Sequence, residues 1–388
     1  MLGPSTILSW FALSLVVSNV VALDVTELFN LPASGNSYGD CSSYKSRLTN
    51  YVGDFSTLAT QMHNAVQWAQ QTGQTQQTIV ARELFTSWFG IRFDGNGALH
   101  PDSQTAWNVV TDHIQRLQDL ITNDGVYQAW TSPANLFCGD FGEPFSWNTY
   151  MLDSAGEYVT PFTSVAEVYG DWASYIGGEQ VPYWVPSLNE YYLISPTTFT
   201  AGAMCSDTSG LEGLNSFGNS ASLKSLNRNG LNYPVFRKPL SDFVLICPNM
   251  LKDNTPSDTS AGNTLLSDIG VLTVTADLID RAQLSFIKPR STVMLHEILH
   301  MVTRWDQSGN TVVSGQNMIV DHSYLMMDCL ALALDPYALG TSVAKFAYQN
   351  TENYVHFALA WWYYNSKTVG TATPATFYAG FLQKWDHT

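Results

Sequence analysis

The chain has 388 residues, enough to bury one large core or two domains. Apolar residues make up 45% of it, which is ordinary for a globular protein, so we expect a folded chain rather than a disordered one. The formal net charge of −16 at pH 7 argues against nucleic acid and anionic membrane as partners, and it suits an extracellular protein.

The first 22 residues predict a secretory signal peptide. Residues 7–22 form an apolar run that is too short to span a membrane comfortably, and small residues stand at the expected cleavage positions up to Ala22. A signal anchor is the alternative. No later segment has an apolar run of membrane-spanning length, so we expect a secreted protein that makes no membrane contact after signal cleavage.

Five cysteines follow the predicted signal peptide. Because disulfides can form in secreted proteins, the simplest assignment of the five cysteines is two disulfides and one free thiol. Cys329 lies in the apolar run 325–334, which favours a buried free thiol at that position. The sequence does not determine how the other four pair: Cys41, Cys138, Cys205 and Cys247.

The first half of the chain shows helical periodicity but no motif that indicates a particular reaction or ligand. Apolar residues recur at helical spacing over 57–70, 77–89 and 103–122, with a Gln/Thr-rich break between the first two runs. Residues 127–239 are rich in Pro, Gly, Ser and aromatics, and short strands are expected there, for example at 191–195.

A buried strand halted by proline is predicted at 240–248, and residues 263–287 are ambiguous between strand and helix. The next segment, 291–305, predicts a helix. Pro289 prevents the helix from extending further toward the N-terminus, and Ser291 or Thr292 can cap its first turn. Two further helical patterns, at 317–334 and 342–364, close the chain.

The helix predicted at 291–305 contains the sequence HEILH. His296 and His300 are four residues apart, so both imidazoles lie on one helical face and can reach the same metal ion. Glu297 stands beside them, where its carboxylate can accept a proton from a metal-bound water. This pattern is typical of zinc-dependent hydrolases.

A catalytic zinc site needs a third protein ligand and leaves one position to water. Asp306 stands where the short motif H-E-x-x-H-x-x-G-x-x-D would place a ligand. However, that motif turns the chain at a glycine, and the β-branched Thr303 at this position resists positive φ. The candidates downstream of HEILH are Asp306, Asp321, His322, Asp328 and Glu352.

Asp321 is the preferred candidate. Tyr324 follows it by three residues, so within the predicted helix 317–334 the two would share a face. The carboxylate could then bind the metal while the phenol points at the substrate. The alternative is that Asp321 only caps the helix that follows.

Three stretches carry a family resemblance. GQNMIVDHSYL at 315–325 resembles the G-T-x-x-D-x-x-Y-G segment that follows H-E-x-x-H in the aspzincin metallopeptidases, the deuterolysins and the lysine-specific fungal metalloendopeptidases. The Asp and Tyr match in register, but the G-T opening and the last glycine do not. FVLICP at 243–248 and QNTENYVHFA at 349–358 are similar to that family's strand ending in Cys-Pro and its N-A-D-x-Y-x-x-F-A helix.

The resemblance covers residues 240–364. It implies an α+β, zincin-like metalloprotease domain, mainly helical with a small sheet, together with an N-terminal mixed, partly helical region. It also implies one Zn²⁺ held by His296, His300 and Asp321, with Glu297 as general base and Tyr324 as a catalytic helper. Glu352 is expected on the surface.

We therefore expect a secreted zinc metalloendopeptidase that acts on protein or peptide substrates. The predicted segments are a signal peptide at 1–22, an N-terminal region of unknown role at 23–238 and the catalytic domain at 239–388. The N-terminal region could be an accessory region or a propeptide, although Pro239 makes the basic pair at 237–238 a poor processing site. The alternative function is a secreted, non-catalytic zinc-binding or surface-recognition protein that retains the scaffold.

Overall fold

The structure is a computed structural model. It describes residues 23–35, 38–122, 133–140, 142–144, 146–153, 155–167, 181–187, 190–194, 205, 213–216, 227–228, 231–232, 243–251, 264–269, 283–303, 319–340, 342, 344–369, 373–377 and 379–384. The predicted signal peptide at 1–22, Asp306 and the basic pair at 237–238 lie outside the described residues.

The fold is mixed α+β, mainly helical with a small sheet, as the sequence predicts. The α-helices within the described ranges are α1 (Val25–Leu28), α2 (Lys45–Gln70), α3 (Gln76–Phe89), α4 (Gln104–Thr122), α5 (Pro248–Leu251), α6 (Thr292–Thr303), α7 (Met326–Leu334) and α8 (Thr351–Ser366). The strands are β1 (Phe29–Asn30), β2 (Ala134–Cys138), β3 (Glu143–Pro144), β4 (Val181–Val185), β5 (Glu190–Ile194), β6 (Gly213–Ser216), β7 (Asn227–Arg228), β8 (Leu231–Asn232), β9 (Phe243–Ile246), β10 (Thr368–Val369), β11 (Thr373–Thr376) and β12 (Gln383–Lys384).

The largest described sheet has the strand order β1-β2-β9-β6. Strand β9 pairs in parallel with β2 and antiparallel with β6, and all four of its residues are buried. A central strand covered on both faces needs a continuous apolar run, which is what FVLI supplies. The strand predicted before the proline is therefore confirmed, and α5 begins at Pro248 itself.

The helices of the first half are confirmed, with one boundary wrong. Helix α2 begins at Lys45, twelve residues before the predicted start at 57. The buried residues Leu48, Tyr51 and Phe55 extend the same apolar stripe upstream, so the helix continues over them. The predicted break separates α2 from α3, where Thr75 caps α3 by accepting a hydrogen bond from the backbone N–H of Thr78.

Helices from both halves of the chain share one hydrophobic core. The HEILH motif lies on α6, which packs against α2, α4 and α8. Buried core residues extend from Leu23 to Leu382. Helices α2 and α4, which precede residue 239, therefore supply part of the packing around the motif helix, and the predicted division at 238/239 stays a prediction.

Helix α3 also contacts α7, and the contact depends on a glycine. Gly90 ends α3 with φ +67, a left-handed conformation that L side chains rarely adopt. A Cβ atom at this position would lie 2.2 Å from the carbonyl oxygen of Ala333 in α7. The absence of a side chain thus lets the two helices approach. None of the helices in the described ranges has the length and apolar character that a membrane span requires.

Disulfides join Cys41 to Cys138 and Cys205 to Cys247. The first links the segment before α2 to β2, and the second lies at the end of β9. Cys329 is a buried free thiol on α7. The prediction of two disulfides and one free thiol is confirmed.

Removing the Cys41–Cys138 bridge should destabilise the protein. The bridge closes a separation of 97 residues and so restricts the unfolded chain strongly. We expect the double variant Cys41→Ala/Cys138→Ala to lose about 2–5 kcal/mol of unfolding free energy, measured by urea denaturation. Cys329→Ala is the control for loss of a buried sulfur, and equal losses in the two variants would contradict the stabilising role of the bridge.

Candidate metal centre

The HEILH motif lies on the buried helix α6, in which every residue from Thr292 to Thr303 is buried. Neighbouring elements surround the whole helix, and the two histidines point into the interior, where their Nε2 atoms lie 3.2 Å apart. The helix turn thus brings both imidazoles to one point, as the spacing predicts.

Asp321 completes a group of three ligand atoms. Its Oδ1 lies 3.2 Å from Nε2 of His296 and 3.1 Å from Nε2 of His300. Ligand atoms about 2.0 Å from one tetrahedral metal ion would lie roughly 3.3 Å from one another. The geometry therefore fits a metal ion held by these three residues, which form a potential metal-binding group within the described residues.

The electrostatics of the cluster also favour a bound cation. Two imidazole nitrogens and a carboxylate oxygen present lone pairs toward one another, so they repel unless a proton or a metal ion lies between them. Burial alone would raise the pKa of Asp321, but its hydrogen bonds with the two histidines outweigh burial and lower it. Two imidazoles and a carboxylate suit zinc and also other first-row divalent metals.

Asp321 does not lie on a helix. The predicted helix 317–334 begins only at Met326, and Leu325 is its N-cap, so neither the shared helical face nor the capping alternative for Asp321 holds. Residues 319–325 form an irregular, non-helical segment beside the start of α8, where Val320 bridges to Asn350.

Asn350 fixes this segment in place. Its side-chain Oδ1 accepts hydrogen bonds from the backbone N–H groups of His322, at 2.8 Å, and Ser323, at 3.0 Å. Its Nδ2 donates to the carbonyl oxygen of Ser323 at 3.1 Å. Asn350 is fully buried, so these bonds are shielded from water. They hold Asp321 opposite the histidines without help from helical geometry.

The second ring nitrogen of each histidine also has a partner. Nδ1 of His300 lies 3.3 Å from the carbonyl oxygen of Ile319, and Nδ1 of His296 lies 2.9 Å from Oε1 of Glu352. Both partners accept hydrogen bonds, so Nδ1 of each ring carries a proton, and Nε2 is the nitrogen that would bind a metal.

The predicted surface position of Glu352 is wrong. Its side chain is 3% exposed, and it lies in the first turn of α8 between His296 and Lys288. The sequence did contain a signal for this. Helix α8 is apolar on all sides, which predicts a buried helix, and an acid in such a helix needs a buried partner.

Glu297 is 4% exposed, and burial raises the pKa of its carboxyl group, while His296 and His300 oppose part of the shift. A carboxylate whose pKa is raised is a better proton acceptor. The structure thus places a basic carboxylate next to the histidines on the same helix.

Tyr324 lies at the open side of the cluster. Its side chain is 61% exposed, its hydroxyl donates to Oδ2 of Asp321 at 2.9 Å, and its ring stacks on His296 with centroids 5.7 Å apart. Burial of the hydroxyl and the charge of Asp321 raise the pKa of Tyr324, so the phenol keeps its proton at neutral pH.

The remaining candidates take other roles or cannot be placed. Asp306 lies outside the described residues. Asp328 accepts a hydrogen bond from the hydroxyl of Ser323 at 3.1 Å and does not belong to the three-residue group. His356 is buried and stacks on Trp88.

No protein-family model, curated protein or solved structure matches this chain. The likeness to the aspzincins therefore rests on the quoted motifs alone and stays a prediction. The potential metal site rests on the geometry of His296, His300 and Asp321 in the structure.

Proposed function

We propose that the protein is a secreted zinc-dependent endopeptidase of the aspzincin type, with a zincin-like domain around α6. The observation that carries the proposal is the convergence of His296, His300 and Asp321 on one point, with the buried Glu297 on the same helix as the histidines and in electrostatic interaction with all three residues. A site built only to bind a metal has no need of a buried glutamate between its two histidines, whereas a hydrolase needs a base there.

The side chains divide the chemistry among them. Zinc bound at the cluster would supply a Lewis acid that polarises the scissile carbonyl and activates a water molecule. Glu297 accepts a proton from the attacking water and delivers it to the leaving amine. Tyr324 donates a hydrogen bond from its hydroxyl to the oxygen on which negative charge develops. Because Tyr324 is exposed, a substrate carbonyl can replace Asp321 as the acceptor of this hydrogen bond.

Tyr324→Phe tests this assignment. Loss of one donor to a developing oxyanion costs roughly 100-fold in kcat, and KM should change little because the bond forms only in the transition state. The measurement is steady-state hydrolysis of a fluorogenic peptide, with the exposed Tyr337→Phe as the matched control. A wild-type kcat in Tyr324→Phe would exclude contact between this phenol and the reacting carbonyl.

The proposed location outside the cell rests on two features. The apolar N-terminal run predicts a signal peptide, and the two disulfides fit an oxidising compartment. Edman sequencing or mass spectrometry of the protein recovered from culture medium tests this. A mature N-terminus near Leu23 is expected, and one near residue 239 would support a removed propeptide instead.

The test of the function itself is hydrolysis of denatured casein by the protein with and without a zinc chelator. We expect new peptides that disappear with the chelator and return with added zinc. Zinc binding without any hydrolysis would favour the alternative, a non-catalytic zinc-binding or recognition protein.

A further inference from the structure

An ion pair between Lys288 and the buried Glu352 lies next to His296, one of the three potential ligands. Nζ of Lys288 lies 3.2 Å from Oε1 and 3.0 Å from Oε2 of Glu352. The side chain of Lys288 is 26% exposed and that of Glu352 only 3%. Lys288 comes from the segment between a 3₁₀ turn and α6, while Glu352 comes from α8, so the pair joins the two elements.

Glu352 uses the same carboxylate to hold His296. Its Oε1 accepts the Nδ1–H of His296 at 2.9 Å. The result is a chain of contacts, Lys288 to Glu352 to His296, that ends at a nitrogen of the metal cluster. A glutamate side chain has several rotatable bonds, so a contact to both of its oxygens fixes the plane in which it meets the imidazole.

Lys288 also supplies the charge that a buried carboxylate requires. Burial alone would raise the pKa of Glu352, but the charge of Lys288 and the hydrogen bond with His296 outweigh burial and lower it. His356 also faces this carboxylate, with its Nε2 3.7 Å from Oε2. Burial lowers the pKa of His356 to about 4, so it is neutral at pH 7 and adds no charge.

We propose that Lys288 and Glu352 are positioning residues for the metal: Lys288 clamps Glu352, and Glu352 holds the His296 ring with Nε2 toward the cluster. This inference rests on the proposed metal site and adds two residues to it. Outer partners of metal-bound histidines set ring orientation, and their removal typically lowers metal affinity about 10–100-fold.

The test is zinc affinity, measured by competition with a chromophoric chelator. We expect Lys288→Met to bind zinc about 10-fold more weakly than wild type and Lys288→Arg to restore most of the affinity, because Arg can also contact both carboxylate oxygens. Lys45→Met is the matched control, since Lys45 makes an exposed ion pair with Asp24 at 4.0 Å.

Absorption of the cobalt-substituted proteins provides a readout of ligand geometry. The cobalt bands should shift or weaken in Lys288→Met and match wild type in Lys45→Met. If Lys288→Met does not fold, as judged by circular dichroism, Glu352→Asp takes its place. The shorter carboxylate keeps the buried charge but cannot span Lys288 and His296 together.

The outcomes separate this inference from the proposed function. Wild-type zinc affinity and an unchanged cobalt spectrum in folded Lys288→Met would overturn the positioning role and leave the metal site intact. A wild-type protein that binds no zinc would overturn the metal site and this inference with it.

Discussion

Glu297→Gln should retain zinc and lose most of its hydrolytic activity, with kcat/KM falling by about 10³-fold. The amide has the same size as the carboxylate but cannot accept the proton of the attacking water. Because Glu297 is not one of the three potential ligand residues, we expect its replacement by the equally sized Gln to leave zinc binding intact. Peptide hydrolysis and zinc content should be measured on the same preparation.

Glu157→Gln, an exposed glutamate in the described part of the chain, controls for the substitution itself and should behave as wild type. Comparable hydrolysis by Glu297→Gln and wild type would remove Glu297 from the mechanism. Loss of zinc from Glu297→Gln would mean that the carboxylate acts as a ligand rather than as a base.

Asp321→Ala should lose zinc. The substitution removes one of three ligand atoms and leaves two imidazoles, so we expect zinc affinity to fall more than the roughly 10–100-fold typical of changes outside the ligand set. Hydrolysis should fall with it, since the remaining site cannot hold the metal at working concentrations. Chelator competition measures the affinity.

Two other aspartates are matched controls for Asp321→Ala. Asp328→Ala removes a carboxylate that contacts Ser323 and lies outside the three-residue group, so it should keep zinc. Asp306→Ala tests the rival third ligand considered from the sequence and should also keep zinc. Zinc loss in Asp306→Ala with zinc retained in Asp321→Ala would contradict the assignment.

The motif helix could be predicted from the sequence because its signals are local. Pro289, the apolar periodicity and the four-residue spacing of the histidines all act within one helix, and α6 begins and ends close to the predicted limits. The convergence of both Nε2 atoms follows from helix geometry alone.

Asp321 lies beside the two histidines, as the sequence predicts, but the helical face expected to place it there is not formed. The expected helical face does not exist, because residues 319–325 are not helical and are held by the side chain of Asn350. That contact joins positions 28 residues apart in the chain, and no local pattern in the sequence encodes it. The Asp–Tyr spacing still brings the two side chains within a hydrogen bond.

Glu352 was missed because an acid in a helical turn is usually solvated. Its partners, Lys288 and His296, stand 64 and 56 residues away in the sequence. Likewise, local periodicity predicted α2 and α4 but not their packing around the motif helix. Tertiary contacts of this kind decide which residues surround the metal cluster, and they arise only when distant elements fold together.

The most direct test of the account is a zinc titration of the metal-free protein, with bound zinc and the rate of casein hydrolysis followed together. We expect both to rise in parallel and saturate at one ion per chain, since the described residues contain one group of three potential ligands. Hydrolysis that does not depend on zinc, or saturated zinc binding without hydrolysis, would contradict it.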